Sequence, residues 1–143
     1  MPKILDLQSD YNKLVVDFGD YSNKKTLNIP SKIFNKIDLA FFSGNKNTIE
    51  LIESISKENN LLIVVTMGPD GSFAVKNSKL YFQPALMVSN KIDSTGCGDA
   101  FQAAFTNYYF RKKDIYEALF QGAKQAAKVL KHYGSFSQLP RDI

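Results

Sequence analysis

Apolar residues along the chain form three short runs and several longer stretches with a helical repeat, divided by turn-forming residues. The short runs are residues 13–18 (K-L-V-V-D-F), 39–43 (L-A-F-F-S) and 61–66 (L-L-I-V-V-T). Runs of this length predict strands, and the fully unbroken one at 61–66 predicts a strand covered on both faces, as in a parallel sheet. Residues 48–57 instead place Ile49, Ile52 and Ile55 on one face. That spacing predicts an amphipathic helix, with Asn47 as its N-cap and Asn59-Asn60 as its end. Residues 30–36 predict a short helix with Pro30 in its first turn. Residues 19–23 read as a loop by composition, and residues 67–72 (M-G-P-D-G-S) as a turn-rich break.

Further along, residues 73–75 and 80–82 predict two short strands, joined as a hairpin through residues 76–79. Residues 84–92 read as extended. A helix over 99–109 would bury Phe101, Ala104, Phe105 and Tyr108. The longest helix, 115–133, would bury Ile115, Leu119, Gly122, Ala126, Val129 or Leu130, and Tyr133, with Gly134 as its C′ residue. Strands alternating with helices predict an α/β fold, a mostly parallel sheet flanked by helices.

Composition narrows the class. A chain of 143 residues is one domain or part of a larger one. It can bury roughly two thirds of its unfolded surface. Hydrophobic content of 44% and charged content of 22% are those of a globular protein. The net charge of +4 is spread along the chain, and its densest run, Arg111-Lys112-Lys113, falls at a predicted helix end that favours cations. That dispersal argues against a nucleic-acid partner. Cys97 is the sole cysteine, so an internal disulfide is excluded, and with one histidine (His132) a structural zinc site is not expected. No apolar run reaches membrane-spanning length and no signal-peptide hydrophobic region opens the chain, so a cytoplasmic protein without a membrane partner is expected.

The chemistry concentrates in residues 91–104, K-I-D-S-T-G-C-G-D-A-F-Q-A-A. An extended segment ends at Asp93, Gly96 and Gly98 flank one small residue, and Asp99 opens an alanine-rich helix. Glycines at such a turn let several N–H groups point into one concavity, and the helix adds its own free N–H groups and positive dipole end. Such a place favours a phosphate, or the charge that develops in phosphoryl transfer. A carboxylate there either takes a proton from a substrate or caps the helix, and spacing alone leaves those two readings level. A second glycine-bearing loop, Thr66-Met67-Gly68-Pro69-Asp70-Gly71, follows the strongest predicted strand. Ligands gather at the carboxyl ends of strands in such sheets. There is no G-x-x-x-x-G-K-S/T motif, and Phe101 stands where a dinucleotide fingerprint needs its third glycine.

D-S-T-G-C-G-D-A-F closely resembles the C-terminal signature of the PfkB (ribokinase-like) carbohydrate kinases, D-S/T-x-G-A-G-D-x-F, with Cys97 in place of the usual alanine. V-V-T-M-G-P-D-G-S resembles that family's nucleotide loop, T-x-G-x-x-G, and the two motifs stand in the family's order. The resemblance implies a ribokinase-like, Rossmann-like fold and ATP-dependent phosphoryl transfer to a sugar hydroxyl. It makes Asp99 the catalytic base and Gly96, Cys97 and Gly98 the anion hole. It places Thr66, Gly68 and Gly71 on the ATP phosphates and nucleoside, with Ala123 beside the adenine. Magnesium accompanies ATP, and a monovalent cation such as potassium would sit near Asp93 and the backbone of residues 134–137.

The departures matter as much. The family's N-x-x-E motif is absent in register, where Ser43 and Lys46 stand, and the literal match at Asn47–Glu50 falls four residues late. Magnesium would therefore be held mainly by phosphates and water. D-F-G-D at Asp17, where many members have D-x-N, and the sequence Q-G-A-K-Q-A-A-K-V-L-K-H-Y-G-S-F look most like fructoselysine 6-kinases. Family members are roughly twice this length, and the half that binds the sugar is missing. Residues 1–143 are thus expected to be one partial domain, the C-terminal nucleotide-binding portion, inactive in isolation, from an enzyme that forms a homodimer at full length. The alternative expectation is a non-catalytic nucleotide-binding or regulatory module left by truncation.

Overall fold

The computed structural model of the chain describes residues 12–24, 26, 29–88 and 94–131. Five strands, β1 (Val15–Asp20), β2 (Leu39–Ser43), β3 (Leu62–Thr66), β4 (Ser72–Lys76) and β5 (Lys79–Gln83), form one sheet in sequential order. Among the described residues four α-helices, α1 (Ser31–Phe34), α2 (Ile49–Asn59), α3 (Cys97–Lys112) and α4 (Ile115–Leu130), complete the α/β pattern. Two compact units divide the chain: Met1–Met67 with Phe73–Tyr81, and Gly68–Ser72 with Phe82–Ile143.

In the first unit, β1 runs parallel to β2 and β2 parallel to β3, with Ser43 opposite Thr66 at the carboxyl ends. The apolar runs of β2 and β3 behave as a parallel sheet requires, whereas β1, expected to be buried, is half-buried with Asp17, Gly19 and Asp20 exposed. Ala40, Phe42, Ile63, Val65, Phe73 and Val75 join Ile52 and Ile55 of α2 in one core. Leu39, Phe41, Leu62 and Val64, which alternate with them, are buried as well. Phe42 anchors this core, stacked on Phe18 at 5.0 Å and met edge-on by Tyr21 at 5.0 Å. Ser56 of α2 is buried and satisfied, its hydroxyl donating to the Leu61 carbonyl at 2.7 Å.

Three local expectations are corrected here. β1 continues through Gly19 and Asp20 rather than ending in a loop. Between Asp17 and Asp20 its register against β2 shifts, and Gly19 takes φ +85°, as a bulge demands. Asn45, not Asn47, caps the chain before α2. A 3-10 turn (Lys46–Thr48) intervenes; the Asn45 side chain accepts the Asn47 N–H at 2.9 Å, and Thr48 Oγ1 accepts the Asn45 N–H at 3.0 Å. The β4–β5 connection is a two-residue turn, Asn77-Ser78, with φ of 52° and 62°. Both values are positive, which matches the twist of a tight hairpin.

The second unit is built on α3 against α4. α3 buries Phe101, Phe105 and Tyr109, whose rings stack at 6.3 and 5.9 Å. Tyr109 thus takes the place expected for Tyr108, and Ala104 is only half-buried. α4 buries Ile115, Ala118, Leu119, Gly122, Ala123 and Val129, while Ala126 is half-buried. Asp114 caps it by accepting the Glu117 N–H at 3.1 Å. The expected stripe and cap at Tyr133 and Gly134, and the histidine at 132, lie outside the described residues. Among the described residues no helix is long and apolar enough to cross a membrane.

Candidate active site

The glycine stretch folds as the sequence demands. Gly96 takes φ +83° in the N-cap position of α3, a left-handed conformation that a side chain would resist. Cys97, Gly98 and Asp99 are then the first three helical residues. The Cys97 N–H donates to the Ser94 carbonyl at 3.1 Å, and the first helical bond runs from Ala100 N–H to Gly96 at 2.9 Å. First-turn N–H groups of an α-helix lack intrahelical partners and carry the positive end of the dipole. Open space lies beyond Gly98, where a Cβ would meet nothing within 4 Å. Asp99 is exposed, and its carboxylate makes no hydrogen bond or ion pair with any described residue. The turn therefore offers an anion-friendly backbone with a carboxylate beside it that is uncommitted among the described residues.

Cys97 points elsewhere. Its thiol donates to the Ala126 carbonyl of α4 at 3.6 Å, tying the start of α3 to α4. Closer in on α4, Gly122 lets the Phe101 ring approach its backbone, and Ala123 beside it is buried.

The other loop starts where β3 ends. The Thr66 carbonyl accepts the Gly44 N–H at 3.0 Å, and its hydroxyl lies 3.4 Å from that of Ser43. In the second unit, Gly68 opens a 3-10 turn (Gly68–Asp70) with φ +56°, exposed and with nothing near its missing side chain. Gly71 closes that turn, its N–H donating to Gly68 at 3.1 Å. Its φ of +95° and the nearby Gln83 carbonyl both forbid a larger residue.

The structure thus gathers Gly96, Cys97, Gly98 and Asp99 on one turn, and Gly68 and Gly71 on another, with Thr66 closing β3. Asp93 lies outside the described residues. Among the described residues no cluster of three His, Cys, Asp or Glu side chains could hold a metal ion. Ser43 is the neighbour that sequence reasoning noted only as a departure; its signal was its place at the end of β2, in register with the end of β3.

Asp20 is the one described group whose ionisation is clearly displaced. The Ser22 hydroxyl at 2.6 Å, then the Ser22 N–H at 2.9 Å, holds its carboxyl below the ordinary value.

Comparison with known proteins fixes the family. The sequence pattern of the pfkB family carbohydrate kinases matches residues 31–142. The chain belongs to that family. A fructosamine kinase of Bacillus subtilis is 30% identical over 82% of the chain and 42% of its own length. A fructoselysine 6-kinase of Escherichia coli is 28% identical over 82% of the chain and 46% of its own length. The chain spans about half the length of these relatives. Among solved structures, a microbiome-derived acarbose kinase superposes with a TM-score of 0.70 at 20% identity, covering 86% of the chain and 43% of its own. The nucleoside kinase of Methanocaldococcus jannaschii, an archaeal member of the ribokinase family, gives 0.67 at 23%, covering 91% and 46%. These likenesses establish the ribokinase-like fold.

Proposed function

We propose that the chain carries the nucleotide side of an ATP-dependent sugar kinase, with Asp99 as the base that receives the proton of the attacking hydroxyl. The observation that carries this reading is the uncommitted carboxylate. A residue present only to cap α3 would accept a hydrogen bond from a first-turn N–H, and Asp99 accepts none among the described residues. In the reaction, the sugar hydroxyl oxygen bonds to the γ-phosphorus, its proton passes to Asp99, and ADP leaves. Phosphoryl transfer asks the protein chiefly for positioning and for stabilisation of charge. Of the expected anion hole of Gly96, Cys97 and Gly98, the two glycines offer their N–H groups to the transferred group, the Cys97 N–H being engaged by the Ser94 carbonyl at 3.1 Å. Thr66, Gly68 and Gly71 take the phosphates and nucleoside. Ala123, buried on α4, contributes to the packing beside the adenine.

Membership of a kinase family implies ATP as the phosphoryl donor. The described residues bring no three-ligand cluster together, so in this reading magnesium arrives with ATP and is held by phosphate oxygens and water. Potassium near Asp93, a cytoplasmic setting and a full-length homodimer belong to the same proposal. The names of the fructosamine kinase and the fructoselysine 6-kinase support a sugar amine derivative as acceptor, with fructoselysine the leading candidate.

A second reading is favoured by one fact, that the chain spans 42% and 46% of these two relatives. It is a nucleotide-binding module that transfers nothing. The two part in one experiment, calorimetry with MgATP followed by sugar-dependent ATP turnover, on the chain and on a fusion restoring the relatives' length. In the fusion, Asp99→Asn should lower kcat by about a hundred- to ten-thousand-fold while leaving MgATP affinity nearly unchanged. Near-normal turnover in that variant would exclude Asp99 as the base. Nucleotide binding with no sugar-dependent turnover in any form would favour the second reading.

A further inference from the structure

α3 and α4 are joined through Lys113 and Asp114 and pair as a helical hairpin. Their contacts step along both helices one turn at a time. The ring of Phe101 on α3 lies against Gly122 on α4. Four residues back along α3 and four on along α4, the Cys97 thiol donates to the Ala126 carbonyl at 3.6 Å. Cys97 thus stands at the open end of the hairpin, one turn beyond the buried Phe101.

That end needs a hold of its own. Helix starts are commonly steadied by a capping side chain. The N-cap of α3 is Gly96 at φ +83°, a conformation that suits glycine and so brings no capping side chain. A cap would also occupy a first-turn N–H. The thiol bond does not, because it is made from the side of the turn that faces α4. One residue on, about 100° around the helix, Gly98 has open space beside it. One further on, Asp99 is exposed. A thiol is a weak donor, and a weak donor suffices to favour one placement of a turn that Phe101 already anchors.

We infer that Cys97 is a positioning residue for phosphoryl transfer: its thiol ties the first turn of α3 to α4 in place of an N-cap side chain, and so holds Asp99 and the Gly98 N–H in one place. This rests on the reading of Asp99 as the base. The PfkB signature has alanine at this position, which carries no donor, so the tie is not part of that signature.

Two measurements test the tie and its consequence. In the chain, hydrogen exchange is read at the Ala100 amide, which makes the first helical bond of α3, to Gly96 at 2.9 Å. Cys97→Ala removes the donor and should speed that exchange about two- to fivefold, the effect of losing a weak hydrogen bond. Cys97→Ser restores a donor on a shorter reach and should fall between the two. In the fusion that restores the relatives' length, Cys97→Ala should lower kcat by about two- to fivefold. MgADP affinity should stay within twofold, since ADP lacks the group that meets this turn. In the Asp99→Asn background the same substitution should cost less, because the side chain it positions is no longer a base. Unchanged exchange at Ala100 in Cys97→Ala would remove the tie. A lower melting temperature with kcat unchanged would make the thiol structural only and overturn the inference. A loss of MgADP affinity as large as the loss of kcat would place the effect at the nucleotide instead of the turn, and would overturn it too. Absence of turnover in the fusion, or near-normal turnover in Asp99→Asn, would bring down the reading of Asp99 and this inference with it.

Discussion

The ring of Phe101 lies so close to the backbone of Gly122 that a Cβ at 122 would stand 2.7 Å from the ring edge. Phe101 is two residues beyond Asp99 on α3, so this contact sets how the helix whose first turn holds the candidate base rests on α4. Neither side can yield easily. Phe101 is stacked on Phe105 at 6.3 Å and is itself buried. Replacing Gly122 by alanine gains about 1 kcal/mol of helix propensity. Overpacking against an immobile ring costs about 1–3 kcal/mol. The two offset at the low end of that range and the clash wins over the rest, so Gly122→Ala should lower stability by up to about 2 kcal/mol in urea unfolding. Phe101→Leu in the same chain should recover much of that loss. A double-mutant cycle without coupling between the two positions would show that the contact does not control the packing.

This contact also shows where sequence reading stops. β2 was legible residue for residue, and β3 to within one, because unbroken apolar runs of that length have few alternatives. The glycine turns were legible because each needs a backbone conformation that a Cβ resists. The face of α3 was less so. Tyr108 and Tyr109 are chemically identical and lie about 100° apart on the helix, so only the neighbouring helix decides which is buried. Likewise Asn45 and Asn47 are equal candidates as caps until a 3-10 turn places Thr48 to return a bond to Asn45. The continuation of β1 through Gly19-Asp20 was hidden for a related reason, since pairing with β2 overrode a composition that reads as loop. At the candidate site, motifs identify which residues matter. That Asp99 carries no hydrogen bond among the described residues, and that the hydroxyl of Ser43 neighbours that of Thr66, required coordinates.

Asn45 gives the next prediction. Its side chain accepts the Asn47 N–H at 2.9 Å, and its amide donates to the Ser22 carbonyl at 3.1 Å, linking the entry of α2 to the segment after β1. Asn45→Ala removes a cap and an interior hydrogen bond together. It should cost about 1–2 kcal/mol. Asn47 is exposed and contributes only its backbone N–H to this arrangement, so Asn47→Ala should stay within about 0.5 kcal/mol. Chemical unfolding of the two variants side by side settles the assignment. Equal losses would return Asn47 to the role of cap.

Acid sensitivity should be traceable in part to Asp20. The Ser22 hydroxyl favours its charged form most, the Ser22 N–H next, with a smaller pull from Lys24. The folded-state pKa is therefore below the ordinary value of 3.8. Between those two values the unfolded chain binds more protons than the folded one, so stability rises with pH there. Asp20's contribution is fully present above the ordinary value and is lost as pH falls through the folded one. Asp20 is fully exposed, so solvent screens the effect and the signal is a small one. Ser22→Ala removes the largest cause while leaving the backbone bond. Its melting temperature should lie below wild type near neutral pH, and the two curves should converge as the pH drops below about 3.8. Parallel curves down to strongly acid pH would mean that the hydroxyl holds the turn without favouring the carboxylate over the acid.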